Sequence, residues 1–294
     1  MHNKLIPIKL EDFIINRKIA LELLKLNKYT IGNVLIYGNQ NSGKKTLVNA
    51  LINNIFNTNI LLNRSLNSYE LKIGNNKVNI DYITSQYHIE VNLYEYGLYD
   101  KNILNSLIDN YVKYENIGKN VKCVVFHHFE NSSALAQIIL KKLIDISNKN
   151  TIFIILTEEL CKINSSLLTR FLQIRVPKPN INTITNYVDK IIDKNYKLSK
   201  INRQRLITAT DNNLFSINKI YEDLKTHKKI DFKNINIIDD KIIEIINYIK
   251  IKDISSISTI RKLCYSLLLI NITMKFILKY IYNYFLNSKD ISEE

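Results

Sequence analysis

Residues 38–46 read Gly38-Asn39-Gln40-Asn41-Ser42-Gly43-Lys44-Lys45-Thr46, a G-x-x-x-x-G-K spacing. Two glycines let the backbone wrap an anion with its N–H groups. The lysine that follows reaches the β- and γ-phosphates, and a helix starting there aims its positive end at the same charge. The chemistry of this tract is phosphate binding. The magnesium-ligating hydroxyl that ordinarily follows the lysine is here Lys45, so Thr46 has to substitute or the metal is held poorly. His127-His128 offers two imidazoles, but neighbours on a strand face opposite ways and do not chelate one ion together. Ser132-Ser133 opens a helical run that carries Lys141-Lys142, donors suited to nucleic-acid phosphate; a solvated helix face explains the lysines equally well. Arg170, by composition alone, reads as a solvated arginine at a helix end. Cys123, Cys161 and Cys264 have no paired spacing, so neither a disulfide framework nor a zinc pattern is expected.

The elements around these residues place them. Residues 12–28 read as a helix with Ile15, Ile19, Leu23 and Leu26 on one face. Asn33 to Tyr37 is a β-rich run ending at Gly38, and a helix carrying Leu47, Val48, Leu51, Ile52, Ile55 and Phe56 follows the loop. Strand, glycine-bounded loop and helix open an α/β nucleotide-binding domain. The stretch 58–92 is strand-rich and includes Tyr87 to Val91. Residues 101–116 suit a helix, and Lys122 to Phe126 has the near-continuous apolar pattern of a parallel strand covered on both faces. A helix over 133–148 carries Leu135, Ile138, Ile139, Leu143 and Ile146. Thr151 to Leu156 and Phe171 to Val176 repeat the strand pattern, so a parallel sheet is the economical reading. Pro177-Lys178-Pro179 ends that domain. Helical patterns follow at 180–197, 199–210 and 213–228, then a polar linker from Lys228 to Asn236. The remainder reads as helices at 239–252, 255–271 and 273–287, the last with an apolar stripe of Met274, Ile277, Leu278, Ile281, Tyr284 and Phe285.

Among the 294 residues, 41 Lys+Arg stand against 27 Asp+Glu, a formal net charge of +14 that favours polyanionic partners, although an Asn/Ile/Lys/Tyr bias accounts for part of it. With 46% hydrophobic and 23% charged residues, a sizeable core is expected and bulk disorder is not. The N-terminus lacks the apolar core of a signal peptide, and the longest apolar run, Leu263 to Met274, falls short of the roughly 20 residues of a membrane span. A soluble intracellular protein without membrane partners is the expectation.

The strand–loop–helix resembles that of the clamp-loader AAA+ ATPases, in particular the replication factor C small subunit whose phosphate loop reads G-x-x-x-x-G-K-K-T. Tyr87-His88-Ile89-Glu90-Val91-Asn92, Gly97 and Asp100-Lys101 are similar to that subunit's Y-H-L-E-V-N-x4-G-x2-D-R. Lys122 through Asp145, with Ala136-Gln137 and Lys141-Lys142, resembles its next strand and helix. Leu168-Thr169-Arg170-Phe171 resembles the S-R-C box, and the similarity extends over roughly residues 4–290. The resemblance implies an α/β AAA+ domain with a parallel sheet (1–177), a small helical lid (178–232) and a C-terminal all-α collar (233–294) that is shortened. It also implies ATP or ADP as the ligand of residues 38–46. Partners would be the other subunits of a hetero-oligomeric ring, a sliding clamp and primer–template DNA, in a nucleus or a viral replication compartment. Arg170 would project as a finger into a neighbour's nucleotide site, with Ser132, Ser133, Lys141 and Lys142 near DNA.

Departures from the pattern bear on activity. The Walker B acids, of which one orients magnesium and the Glu polarises water, align with His127 and His128. Glu130, two positions on, is expected beyond the strand end. Thr157 is a better γ-phosphate sensor than Glu158, whose charge repels. Phe215 stands at the lid arginine in Asp211-Asn212-Asn213-Leu214-Phe215, and Lys4-Leu5-Ile6-Pro7 is a reduced form of the N-terminal K-Y-R-P box. Weak or absent hydrolysis follows. An active AAA+ ATPase such as a helicase loader, and a scaffold that has lost nucleotide altogether, are the alternative readings.

Overall fold

The computed structural model describes residues 6–27, 30–73, 76–113, 121–147, 150–191, 214, 217–218, 232–251, 256–269 and 274–287. The chain divides into two compact units, Met1–Lys219 and Ile220–Glu294. The division falls inside the 178–232 segment expected to form a lid.

The first unit is built on a seven-stranded sheet. Its strands are β1 (Val34–Tyr37), β2 (Ser65–Ile73), β3 (Asn76–Thr84), β4 (His88–Asn92), β5 (Lys122–His127), β6 (Thr151–Thr157) and β7 (Leu172–Arg175), in the spatial order β2-β3-β4-β5-β6-β1-β7. From β4 to β7 every pair is parallel. The hairpin β2–β3 adds two antiparallel strands at one edge, which makes the sheet mixed. Both faces of the parallel part are covered except at β7, an edge strand whose residues are mostly exposed, so the covered-strand pattern expected over 171–176 does not hold there. Leu35, Val124, Phe126, Phe153 and Ile155 belong to one apolar cluster. Their sequence neighbours Val34, Ile36, Val125, Ile152 and Ile154 belong to the other, as the twofold alternation of a strand requires. This is why β5 and β6 read as unbroken apolar runs.

Helix α1 (Arg17–Leu24) is shorter than the 12–28 pattern. Asn16 adopts φ 58°, a left-handed conformation that stops the helix from extending back to the separate 3-10 turn Leu10–Asp12. Helix α2 (Lys44–Phe56) follows the loop after β1. A helical stretch starts at α3 (Asp100–Ile103), passes through a π turn at Leu104–Ile108 and continues as α4 (Asp109–Lys113). Helix α5 (Ala134–Ile146) forms where expected but is rolled differently. Ala136, Gln137, Leu140 and Leu143 are inside, while Leu135, Ile138 and Ile146 are exposed. The roll is set at two points. Ser133 Oγ accepts from Ala136 N at 3.1 Å to cap the helix. Buried Gln137 donates to Lys162 O at 3.0 Å and accepts from Asn164 N at 2.7 Å. Short α6 (Ser165–Leu168) precedes β7, and α7 (Ile181–Ile191) starts directly after Pro177-Lys178-Pro179.

In the second unit, helices Phe232–Ile251, Ser256–Leu269 and Met274–Asn287 enclose Ile242, Ile245, Ile246, Leu267 and Ile277. Of the expected stripe, Ile281, Tyr284 and Phe285 pack against this core, but Met274 and Leu278 are exposed. Among the described residues no helix is long and apolar enough to cross a membrane.

Candidate nucleotide site

The loop after β1 is shaped as a cradle by backbone restraints. Tyr37 lies between Thr157 of β6 and Arg175 of β7. Gly38 N donates to Thr157 O at 3.3 Å. A Cβ on Gly38 would stand 2.1 Å from Val176 O, so no other residue fits against the end of β7. Gly43, at φ 94°, is the N-terminal cap of α2, a left-handed position that glycine takes without a steric penalty. Asn41 is also left-handed at φ 58°. Asn16 reaches across from the N-terminal segment, its Nδ2 donating to Ser42 O at 3.0 Å. Lys44 Nζ donates to Gly38 O at 2.7 Å and Asn39 O at 2.9 Å, which folds the ammonium over the loop. Burial lowers the Lys44 pKa, against the opposing charges of Glu158 and Glu130. The hydroxyl of Ser42, a residue only 1% exposed, has no hydrogen-bond partner among the described residues. A buried hydroxyl without a partner is costly, and this one lines the cavity that the loop encloses. That cavity measures about 810 Å³ and is also bounded by Gln40, Thr46, Thr157 and, opposite, Tyr187 and Asn218, whose side chains are joined by a 2.7 Å hydrogen bond. Leu214 is part of this wall. The other residues of the tract Asp211–Phe215, including Phe215, lie outside the described residues, as do Lys4 and Leu5.

Glu158 lines the cavity, and Glu130 lies behind it and His128. Glu130 sits in the 3-10 turn Phe129–Asn131 just past β5, and is buried. Its Oε2 accepts from Glu158 N at 3.2 Å, and its Oε1 lies 3.7 Å from His128 Nδ1. Burial alone raises a carboxyl pKa. Here the hydrogen bonds from His128, Thr157 and the backbone outweigh it, and Glu130 is held below the ordinary value. The His128 pKa is correspondingly raised, first by its bond to Glu130. His128 leaves the strand at φ 50°, left-handed, and both His127 and His128 line the cavity, the first turned to Glu90 and the second to Glu130. Donor atoms of His128, Glu130 and Glu158 lie within 4.8 Å of one another. Thr157 is 1% exposed and its hydroxyl is turned to Glu130 and to Glu159 O.

A second carboxylate, Glu90 on β4, links the two departures from the magnesium-binding pattern. Its Oε2 lies 2.9 Å from His127 Nε2 and 3.9 Å from Lys45 Nζ. Its Oε1 lies 3.1 Å from His88 Nε2 and 3.9 Å from Arg64 Nη1. The Glu90 side chain is 2% exposed. Burial works to raise its pKa, but hydrogen bonds from His127 and His88 and the charges of His127 and Lys45 prevail and hold it well below the usual carboxylate range. These residues do not fit a magnesium ion held in the usual way. The hydroxyl position carries an ammonium, and the acid position carries an imidazole already committed to Glu90. Motif reading gave Glu90 no role at the site. A glutamate at the centre of a short strand, between the buried Ile89 and Val91 and two residues from a buried histidine, is the signal that marks it.

The remaining sequence-predicted residues lie away from the cradle. Arg170, in the turn after α6, is clamped within its own chain. Its Nε and Nη2 donate to the two oxygens of Asp145 at 2.8 and 3.0 Å, and Nη1 donates to Ser166 O at 2.8 Å. Ser132 Oγ donates to Phe129 O at 2.7 Å. Ser133 N and Oγ donate to buried Asp100 at 2.6 and 3.0 Å, so a carboxylate of this chain already occupies the N-terminus of α5. Lys142 is exposed and Lys141 partly so.

The parallel strand order, the glycine cradle between β1 and α2, and the flanking wall define an AAA+ P-loop fold. Solved structures bear this out. A RuvB variant from Thermotoga maritima superposes at TM-score 0.55 over 79% of this chain and 71% of that one, with 11% identity. AMPPCP-bound DnaA from Aquifex aeolicus superposes at 0.53 over 83% and 73%, with 16% identity. No family model matches the chain. Its curated homologues are named replication factor C small subunits. One from Acanthamoeba polyphaga mimivirus is 28% identical over 71% of this chain. Replication factor C subunit 5 of Saccharomyces cerevisiae is 24% identical over 54%. The chain spans 58% of the length of the first and 48% of the second.

Proposed function

We propose that the chain is a subunit of a sliding-clamp loader acting in DNA replication, that it binds ATP or ADP with little hydrolysis of its own, and that it lends Arg170 to a neighbouring subunit's site. One observation carries the reading: the phosphate cradle is complete, from Gly38 against Val176 to Lys44 over the loop, while His127 and His128 stand where the hydrolytic acids belong. A nucleotide held there stabilises the folded arrangement by mass action, without turnover. The homologues' names support the clamp-loader role. Partners on this reading are other clamp-loader subunits, a sliding clamp and primer–template DNA, in a nucleus or viral replication compartment. DNA contact falls to Lys141 and Lys142, since a Ser132 or Ser133 hydroxyl would first have to give up a bond within the chain. The three-part division into nucleotide-binding domain, lid and collar belongs to the same proposal.

Nucleotide titration of the purified chain tests it. ATP or ADP should bind, Lys44→Ala should weaken binding by about tenfold or more through loss of a charge-assisted phosphate contact, and phosphate release should stay at background. One observation favours the active-ATPase reading, the buried Glu130 carboxylate directly behind the cavity-lining His128 and Glu158. Turnover that is lost in both Lys44→Ala and Glu130→Gln would replace the present reading with that one.

A further inference from the structure

We propose that nucleotide binding at this site is independent of magnesium, with the Lys45 ammonium supplying, beside Lys44, the positive charge that the metal would bring. This inference rests on the nucleotide reading above and concerns the charge that neutralises the phosphates.

Three features of the site converge on it. Lys45 lines the cavity and replaces a neutral hydroxyl with a cation one residue from Lys44. Its side chain is 55% exposed, loosely held at 3.9 Å from Glu90, and free to swing toward an anion in the cavity. The position of the metal-orienting acid carries His127, which offers no negative charge to a divalent ion and is fixed by its 2.9 Å bond to Glu90. Glu90 itself has both oxygens engaged by His88, His127, Lys45 and Arg64, so it is not a spare ligand. A divalent cation beside residues 45 and 127 would meet like charge from Lys45 and from Arg64. Glu130 is engaged as well, by Glu158 N, Thr157 and His128. Magnesium sheds water reluctantly and relies on carboxylates and phosphate oxygens in octahedral array. The cradle instead presents ammonium groups, which bind phosphate as point charges and need no fixed geometry.

The test compares ATP binding by the full chain in magnesium buffer and in excess EDTA, by calorimetry or fluorescent-nucleotide displacement. Affinities within about threefold of one another are expected, against the tenfold or greater loss that a magnesium-bridged site shows when its ion is removed. The Lys45→Thr/His127→Asp double variant should acquire magnesium dependence, binding more weakly than wild type in EDTA and recovering in magnesium. Circular dichroism would confirm that it folds, and the wild-type comparison decides the question without it. A tenfold or greater loss in EDTA by the wild type overturns this proposal alone, as when magnesium sits on Glu130 and Glu158. Absence of binding in both buffers overturns the nucleotide reading, and this proposal with it.

Discussion

Glu90 shows how much one residue can organise. A carboxylate buried to this degree destabilises a fold unless several donors meet it, and four do, from β4, β5, the start of α2 and the segment before β2. Removing its charge leaves those donors facing an amide. Glu90→Gln should therefore cost about 3 kcal/mol in urea denaturation, the range found when one partner of a buried pair is lost. The pH dependence follows from the direction of its shift. The folded-state pKa is depressed, so the stabilisation is complete above the ordinary value of 4.5 and is lost as pH falls below it toward the folded value. Wild type should lose stability across that acid range, and Glu90→Gln should lose less. An identical acid profile for both would show that Glu90 is not the linked group.

At the scale of elements, β1, β5 and β6 were legible because burial on both faces leaves an unmistakable apolar run, and the loop after β1 because glycine and lysine spacing is rigid. Helix roll was not. Leu135, Ile138 and Ile146 share the periodicity of a core face, yet the core takes Ala136, Leu140 and Leu143 and admits a glutamine. The deciding contacts, Asp100 to Ser133 and Gln137 to Lys162 and Asn164, join residues 25 to 33 positions apart and leave no local periodicity. Asn16 similarly fixes where α1 begins, by a backbone conformation that helical spacing of its neighbours does not reveal. The anchoring of α5 is open to measurement. Ser133→Ala removes both the cap on Ala136 N and the hydroxyl contact to Asp100, and should cost about 1–2 kcal/mol. Ser133→Asp keeps a capping oxygen but sets a second carboxylate against Asp100, so it should fail to restore the loss. Full recovery by aspartate would mean that the Asp100 contact contributes nothing.

For the whole molecule, the prediction concerns a site that the chain does not contain. Arg170→Ala should leave folding and nucleotide binding of the isolated chain unchanged, because its contacts are with partly exposed Asp145 and a nearby carbonyl. In a reconstituted clamp-loader complex it should slow the ATPase of the neighbouring site by roughly 10²–10³-fold, the effect of losing one preorganised charge-stabilising donor. Arg170→Lys should rescue poorly, since an ammonium lacks the planar fork. Equal ATPase from wild-type and Arg170→Ala complexes would reduce the residue to a surface charge. Its bidentate grip on Asp145 has a consequence for assembly. In the proposed complex the guanidinium trades one anion for another instead of arriving unpaired. Dissolved ions weaken the bond being broken as well as the bond being made, so that step should feel ionic strength far less than the meeting of a free arginine with phosphate. The carboxylate left behind would be a newly bared acceptor, waiting at the seam for whatever cation the next subunit brings.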